Sequence, residues 1–170
     1  MLDIINNLKL FFDNCYRRIS VREYARLNNI SPPSASKLLN YYYKEEILKK
    51  EKDKLYLYFY ANKENWLFID LSRIYWKLKI ENSGLINKIK DNFITPKIIL
   101  FGSLNKAETN ENSDIDITII SQSMKKFDLL EFENKLKRKI QIINYKSLNQ
   151  IKNQELKNNI LSGYIIYESW

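Results

Sequence analysis

The sequence predicts a mixed α+β protein in which two folded regions are joined by helices. The first 60 residues show apolar residues at helical spacing and then a hairpin pattern, and continuous apolar runs of strand length follow Pro96. The apolar fraction of 45%, with three Gly and three Pro in 170 residues, is typical of a folded chain. We therefore expect an N-terminal domain in residues 1–60, a helical connector in 61–94, and a small α/β domain with a mixed sheet in 95–170.

Three short helices are predicted at the N-terminus. Residues 2–12 carry apolar side chains at helical spacing. Ser20 can cap a second helix, and Glu23 three residues later completes a capping box. Ser31, followed by two prolines, predicts the start of a third helix over about residues 33–43.

Residues 47–60 are typical of a β-hairpin, with a lysine-rich tip and an aromatic return strand. Two short helices followed by a basic hairpin is the order of a winged helix-turn-helix, in which the second helix enters the major groove. On its outer face that helix would present Ser34, Ser36, Lys37 and Asn40. The hairpin would present Lys49, Lys50, Lys52 and Lys54 to phosphates. We therefore expect this domain to bind double-stranded DNA.

The charge supports a polyanionic partner. The chain has 28 Lys and Arg against 20 Asp and Glu, a net charge of +8, and residues 1–60 and 61–170 each carry +4. The alternative is a helical packing or docking module whose basic face is only solvated.

Composition narrows the possible chemistry. Cys15 is the one cysteine, which excludes an internal disulfide and a cysteine-rich zinc site, and the absence of histidine excludes Ser-His-Asp catalysis. A metal would need oxygen ligands, so Mg²⁺ or Mn²⁺ are the candidates. With no apolar run of about 18–20 residues and no signal-peptide pattern, we expect a cytoplasmic protein without a membrane partner.

The connector is predicted to be helical. Its apolar stripe runs through Leu67, Leu71, Ile74 and Leu78, and the polar residues before Gly84 interrupt it. A second helix over residues 85–92 follows. We expect such a stripe to be core or the contact of a homodimer, for which residues 2–12 offer a second candidate.

The chemistry-bearing residues begin after the apolar run 98–101, which predicts a buried strand and is followed directly by Gly102 and Ser103. A second strand is predicted over residues 115–120, with Asp114 and Asp116 at its start. The strand period of two places both carboxylates on one face, where a divalent cation would neutralise them. The alternative is a solvated pair of aspartates beside a turn.

These residues carry a resemblance. Phe101-Gly102-Ser103, followed after a short polar loop by Ser113-Asp114-Ile115-Asp116-Ile117, resembles the signature of minimal nucleotidyltransferases of the DNA polymerase beta-like superfamily. The whole chain is similar to archaeal-type proteins that join such a domain to a winged helix. The resemblance implies that Gly102, Ser103 and Ser113 bind a nucleoside triphosphate such as ATP. It also implies that Asp114 and Asp116 are catalytic and ligate Mg²⁺ or Mn²⁺.

Two positions depart from the family pattern. Ala107 stands where the loop usually has a second glycine. Gln141 stands on the next predicted strand, residues 139–143 after a helix around 127–138, where the family has a third carboxylate. A neutral amide can coordinate a cation weakly but cannot act as a general base.

Two functional hypotheses follow. The first is an enzyme that transfers a nucleoside monophosphate to an acceptor, and the resemblance to antitoxins makes a protein acceptor plausible. The second is a DNA-binding regulator, or antitoxin-like binding protein, whose transferase fold is catalytically weakened. The intact glycine-serine and aspartate motif favours the first, and Gln141 favours the second.

Overall fold

The computed structural model describes residues 2–123 and 126–169, and the chain divides into two compact units. The first unit contains the residues up to Ser72 together with Ala107–Glu111. The second unit contains Arg73–Lys106 and the residues from Asn112 onward. The boundary near residue 72 lies inside one long helix, within the predicted connector.

The first unit combines three helices with a small antiparallel sheet. Its elements are α1 (Leu2–Asp13), β1 (Ile19–Ser20), α2 (Val21–Leu27), α3 (Pro32–Lys44), β2 (Leu48–Asp53) and β3 (Tyr56–Ala61). The strands lie in the order β1-β3-β2. The three predicted helices and the hairpin are therefore present, with a two-residue tip at Lys54 and Leu55.

Local hydrogen bonds explain where α2 and α3 begin. The hydroxyl of Ser20 accepts from the backbone N–H of Glu23 at 3.3 Å, and Ser31 accepts from Ser34 at the same distance. The carboxylate of Glu23 pairs with Arg17 at 2.7 Å. Glu23 therefore forms an ion pair instead of the return half of the predicted capping box.

The core of the first unit is aromatic. Phe11, Phe12, Tyr24 and Phe59 are fully buried. The ring centre of Phe12 lies 5.2 Å from that of Phe68, which belongs to the helix that follows β3. The inserted segment Ala107–Glu111 is joined to this unit by a hydrogen bond from the backbone N–H of Cys15 to the carbonyl of Thr109 at 2.7 Å.

The second unit is built on a four-stranded mixed sheet. Helix α4 (Trp66–Asn82) begins in the first unit and ends in the second. The elements that follow are α5 (Leu85–Asn92), β4 (Lys97–Phe101), α6 (Gly102–Asn105), β5 (Ile115–Ile120), α7 (Leu130–Leu136), β6 (Ile140–Tyr145), a 3₁₀ turn (Leu148–Gln150), α8 (Gln154–Leu161) and β7 (Tyr164–Glu168). The strand order is β6-β5-β4-β7, with β5 and β6 parallel and the other pairs antiparallel. The predicted mixed sheet is confirmed.

Two elements of the second unit differ from the prediction. Strand β7 was not predicted; it pairs with β4, with Ile165 opposite Ile99. Helix α7 is shorter than the predicted residues 127–138, because the Asp128 side chain accepts from the N–H of Leu130 and holds a turn there. The helix ends where Lys137 adopts a left-handed conformation with φ of 56°.

None of the helices within residues 2–123 and 126–169 combines the length and apolar character that a bilayer crossing requires.

The buried hydroxyl of Tyr24 makes the stability of the first unit sensitive to alkaline pH. Burial, with a smaller effect of Tyr42, raises its pKa from 10.0 to about 12, and its hydroxyl donates to the carbonyl of Asn7 at 2.8 Å. Tyr24 therefore ionises at a lower pH in the unfolded chain than in the folded protein. Ionisation favours the unfolded chain, so the unfolding free energy falls as the pH rises from about 10 to 12.

We expect Tyr24→Phe to cost about 1 kcal/mol at neutral pH by removing this hydrogen bond, and to reduce the alkaline loss of stability. Urea unfolding at about pH 8 and 11 measures both effects. Tyr16→Phe is the control, since Tyr16 is 54% exposed. The prediction would be contradicted if both variants changed the loss of unfolding free energy between these two pH values equally.

Candidate active site

Three strand ends meet at one edge of the second unit's sheet. Because β4 runs antiparallel to β5, and β6 runs parallel to β5, the end of β4 lies beside the starts of β5 and β6. In this register Asp116 is opposite Phe101 on one side and opposite Gln141 on the other. The structure thus brings Gly102, Asp116 and Gln141 together at one edge.

Gly102 makes room for the carboxylate of Asp116. Its φ of 71° lies in the region that favours glycine. A Cβ at this position would overlap Oδ2 of Asp116 and lie 3.2 Å from its Cγ. The carboxylate therefore occupies the space in which any other residue at position 102 would place its side chain.

Gln141 contacts the other carboxylate. Its Nε2 donates a hydrogen bond to Oδ2 of Asp114 at 2.9 Å. The amide is therefore placed next to both aspartates, at the position where the family resemblance leads one to expect a third carboxylate.

The two aspartates affect each other electrostatically. Burial, and next the negative charge of Asp114, raise the pKa of Asp116 above its ordinary value. Two neighbouring carboxylates therefore resist ionising together, and a bound cation would relieve this repulsion.

The donor set at this edge suits one hard cation. Two carboxylates are the protein ligands that Mg²⁺ uses when water and substrate phosphates complete its octahedral shell. Within the part of the chain that the structure describes, no group of three or more His, Cys, Asp or Glu side chains is placed to hold a metal ion. Asp114 and Asp116 could therefore hold such an ion together with water and substrate phosphates.

Ser103 and Ser113 lie next to Gly102 and Asp114 in the chain. Ser103 follows Gly102 in the short helix α6, and its side chain is partly exposed. The carbonyl of Ser113 accepts from Nη1 of Arg138 at 2.7 Å. Sequence reasoning missed Arg138, because a single arginine within a lysine-rich segment carries no distinguishing pattern.

The loop that follows Ser103 is tied to helix α8. Lys106 donates through Nζ to Oδ1 of Asn159 at 3.1 Å, and Asn105 donates through Nδ2 to the carbonyl of Ser162 at 3.1 Å. Ala107, where the resemblance leads one to expect glycine, is buried in a left-handed conformation with φ of 54°. The backbone therefore keeps the glycine-type conformation despite the substitution.

The polar residues predicted to face DNA lie on α3 in two environments. Ser34 and Lys37 are exposed. Ser36 and Asn40 are partly buried, and Nδ2 of Asn40 donates to the carbonyl of Ser36 at 2.9 Å. Ser36 and Asn40 therefore already use part of their hydrogen-bonding capacity on each other.

The hairpin separates its charges between two faces. Glu51 and Asp53 both pair with Arg18, and Lys49 pairs with Glu64 at 2.6 Å. The strand period places Lys50 and Lys52 on the other face, where both are exposed. Nζ of Lys50 lies 3.9 Å from the ring centre of Tyr43 at the end of α3. Lys54 is exposed at the tip.

A mixed sheet that carries a glycine-serine turn and an Asp-x-Asp pair at one edge defines the second unit as a nucleotidyltransferase-type domain. The family model described as "Polymerase beta, Nucleotidyltransferase" matches residues 84–169. The chain belongs to this family. Comparison with curated proteins gave no match.

Gly102→Ala tests the space shared with Asp116. We expect the variant to displace the Asp116 carboxylate, to lower the unfolding free energy by about 1–3 kcal/mol, and to abolish Mg²⁺-dependent nucleotide binding. Urea unfolding and calorimetric titration of ATP with Mg²⁺ measure these effects.

Gly84→Ala is the matched control. Gly84 also has a positive φ, of 89°, but the nearest atom to an added Cβ is 3.9 Å away on Phe132. This variant carries backbone strain without crowding the site, so it should lose stability and keep nucleotide binding. Equal loss of binding in both variants would rule out the role assigned to the space beside Asp116.

Proposed function

We propose that this protein is a Mg²⁺-dependent nucleotidyltransferase that transfers a nucleoside monophosphate from a nucleoside triphosphate to an acceptor hydroxyl. The observation that supports it is the meeting of Gly102, Asp114 and Asp116 at one sheet edge in a domain of this family. Mn²⁺ could bind to the same carboxylates.

Each residue has a defined part in this proposal. Asp114 and Asp116 would hold the ion, which when bound supplies positive charge to the phosphates and the departing pyrophosphate. The turn at Gly102 and Ser103 would bind the triphosphate, with Ser113 beside it. Gly102 also keeps the Asp116 carboxylate at the edge where the triphosphate would lie.

Calorimetric titration tests the nucleotide site. ATP, GTP, CTP and UTP are titrated with and without Mg²⁺ into the wild type and into Asp114→Ala with Asp116→Ala. We expect binding that requires the ion and is lost in the double variant, because the cation loses both carboxylates.

Glu81→Ala with Asp91→Ala is the matched control. It removes two negative charges from exposed positions of the same unit and should bind as the wild type does. The proposal fails if no nucleotide binds the wild type, or if the control loses binding equally.

Gln141 supports a second candidate, a nucleotide-binding regulator with weakened transfer. Its amide satisfies Asp114 at 2.9 Å and supplies neither a third metal ligand of full charge nor a general base. In this alternative the transferase site senses a nucleotide, and the first unit carries the response to DNA.

Gln141→Asp separates the two candidates. If the site is an enzyme whose third carboxylate was replaced, we expect the variant to transfer labelled nucleotide at least about 10-fold faster than the wild type. The readout is transfer from α-labelled ATP to protein or nucleic acid. Gln141→Asn is the control, because it shortens the side chain equally without adding charge. Equal rates in both variants would favour the regulator.

We further propose that the first unit binds double-stranded DNA as a winged helix-turn-helix. The order of α2, α3 and the β2–β3 hairpin supports this, as does the hairpin face that carries Lys50 and Lys52 while its acidic residues pair with Arg18. Ser34, Ser36, Lys37 and Asn40 would face the groove, and Lys54 would meet a phosphate at the tip.

Assembly as a homodimer is part of this proposal. The apolar residues of α1 that suggested a contact, Ile5, Leu8 and Phe11, are buried inside the first unit. Trp66, which is 72% exposed, and Leu67 at the start of α4 are therefore the apolar residues of these two helices that support a contact between copies.

A further inference from the structure

Strand β6 forms an open edge of the second unit's sheet. Among the described residues, the order β6-β5-β4-β7 gives it a hydrogen-bonded neighbour on one side only. An edge strand presents unpaired N–H and carbonyl groups, and another extended chain can bind to them. The parallel register of β6 with β5 decides which of these groups are unpaired.

The odd-numbered residues of β6 face β5. The N–H of Ile115 donates to the carbonyl of Lys139, just before β6, at 2.9 Å. At the other end, the N–H of Ser121 donates to the carbonyl of Tyr145 at 3.0 Å. Because the backbone of a strand faces the same neighbour at every second residue, the even-numbered residues direct their N–H and carbonyl groups outward. These residues are Ile140, Ile142 and Asn144.

Two of these three outward N–H groups are available to a further strand. The N–H of Ile140 donates to Oε1 of Glu133 at 3.0 Å, so it is already paired. Within residues 2–123 and 126–169, the N–H groups of Ile142 and Asn144 have no hydrogen-bond partner. The open part of the edge is therefore residues 142–144.

A cavity of about 640 Å³ borders this edge. The loop before α7 contributes Lys126, Phe127 and Leu129 to its lining, and β6 contributes residues 140 and 142–144. Phe127, Leu129 and Ile142 are only partly buried, although they pack against the core of the unit. The volume lies in the range of about 300–1,000 Å³ that is usual for ligand sites. The cavity therefore has room for apolar side chains of a bound segment.

Asn144 supplies this cavity with an unused hydrogen-bond acceptor. Its Oδ1 is buried and has no partner in the part of the chain that the structure describes. Its Nδ2 donates to the carbonyl of Ser123 at 3.5 Å. A buried polar atom without a partner lowers stability, so an occupant that donates a hydrogen bond to this oxygen is favoured over a purely apolar one. A peptide carries such donors.

The surroundings of the edge are basic. The second unit holds 16 Lys and Arg against 9 Asp and Glu, a net charge of +7. Lys139 precedes β6, Lys146 follows it, and Lys126 lines the cavity; all three are exposed. The ion pair of Lys139 with Glu133, at 3.4 Å, leaves its side chain 76% exposed. The ends of the edge therefore favour an occupant with carboxylates.

The same charges disfavour a second copy of β6 as the occupant. In an antiparallel two-fold pairing centred on Ile142, Arg138 of one copy would lie opposite Lys146 of the other. Like charges directly opposite each other across a ladder are destabilising.

We propose that β6 binds an extended segment of a partner protein as an added strand, and that this segment has an apolar centre and acidic ends. Its backbone bonds to the outward groups of residues 142–144, and its carboxylates meet Lys126 and Lys146. An added strand lies about 4.8 Å beyond β6, so its side chains on the cavity face lie next to Ile142. Gln141 points to the opposite face of the sheet, so the segment leaves the candidate nucleotide site uncovered and the proposal does not rest on the proposed function.

Selection of binders from a displayed library of random peptides of about ten residues tests this chemistry, with the full chain as target. We expect enriched peptides with an apolar centre and Asp or Glu at both ends. The most enriched peptide is synthesised with a fluorescent label, and a twin with Lys in place of its Asp and Glu is the control. The twin should bind at least about 10-fold more weakly in anisotropy titrations. The absence of enriched peptides, or equal binding of the twin, would overturn the proposal.

Amide hydrogen exchange measured by NMR reports on the edge directly. In the free protein the N–H groups of Ile142 and Asn144 should exchange faster than that of Ile143, which faces β5. The bound peptide should slow exchange at Ile142 and Asn144 at least about 10-fold and change it less at Ile143. A peptide that binds without slowing these two amides occupies another surface, and the assignment to β6 would then be wrong.

Charge variants locate the acidic ends of the peptide. Lys126→Glu with Lys146→Glu should weaken binding at least about 5-fold, because two attractions become repulsions. Lys88→Glu with Lys152→Glu is the matched control at exposed positions of the same unit, outside β6 and the cavity lining. It should change the affinity less than about 2-fold. Equal loss in both variants would show non-specific attraction and contradict the proposal.

Ile142→Pro tests the backbone contact. Proline removes an outward N–H and no hydrogen bond to β5, so the folded variant should bind the peptide at least about 10-fold more weakly. Unchanged binding by the folded variant would exclude strand addition. If the variant does not fold, the exchange measurement on the wild type decides.

Sedimentation of the peptide-free protein tests the other occupant. Association of copies that itself slows exchange at Ile142 and Asn144 would assign the edge to a second copy and refute the proposal. Fast exchange at these amides in every state without peptide supports it.

Discussion

The carboxylate of Asp116 fills the space beside the backbone of Gly102, and the rest of the site depends on this close approach. It joins the end of β4 to the start of β5, so the turn that follows one strand and the acidic pair that opens the next share one edge. The same closeness buries Asp116 beside Asp114 and raises the pKa of Asp116. The sheet therefore creates the charge repulsion that makes a cation favourable there.

Gln141 adds a hydrogen bond to one of the two aspartates. The amide gives Asp114 a neutral hydrogen-bond donor, so the acidic pair is partly satisfied before any cation arrives. A cation would have to compete with this bond, whereas a third carboxylate would add to the repulsion and strengthen cation binding. Gln141 thus weakens the electrostatic need for a cation at the two aspartates.

Local features of the fold could be predicted from the sequence, and features that depend on distant pairing could not. The helix starts at Ser20 and Ser31 follow from side chains that bond within three residues. The position of Gln141 beside the aspartates depends on the pairing of β6 with β5, so it could be predicted only with the help of the family resemblance. Strand β7 was missed because its identity depends on pairing with β4, about 65 residues earlier. Arg138 was missed because its partner, the carbonyl of Ser113, leaves no trace in the sequence.

The path of the chain between Gly102 and Asp114 has a consequence for modularity. The chain leaves the second unit after Lys106, contributes Ala107–Glu111 to the first unit, and returns before Asp114. The two halves of the motif are therefore connected through a segment whose carbonyl at Thr109 is held by Cys15. A single cut in the chain cannot release either unit whole. Recombination that exchanged the N-terminal part alone would therefore leave the first unit without its segment Ala107–Glu111.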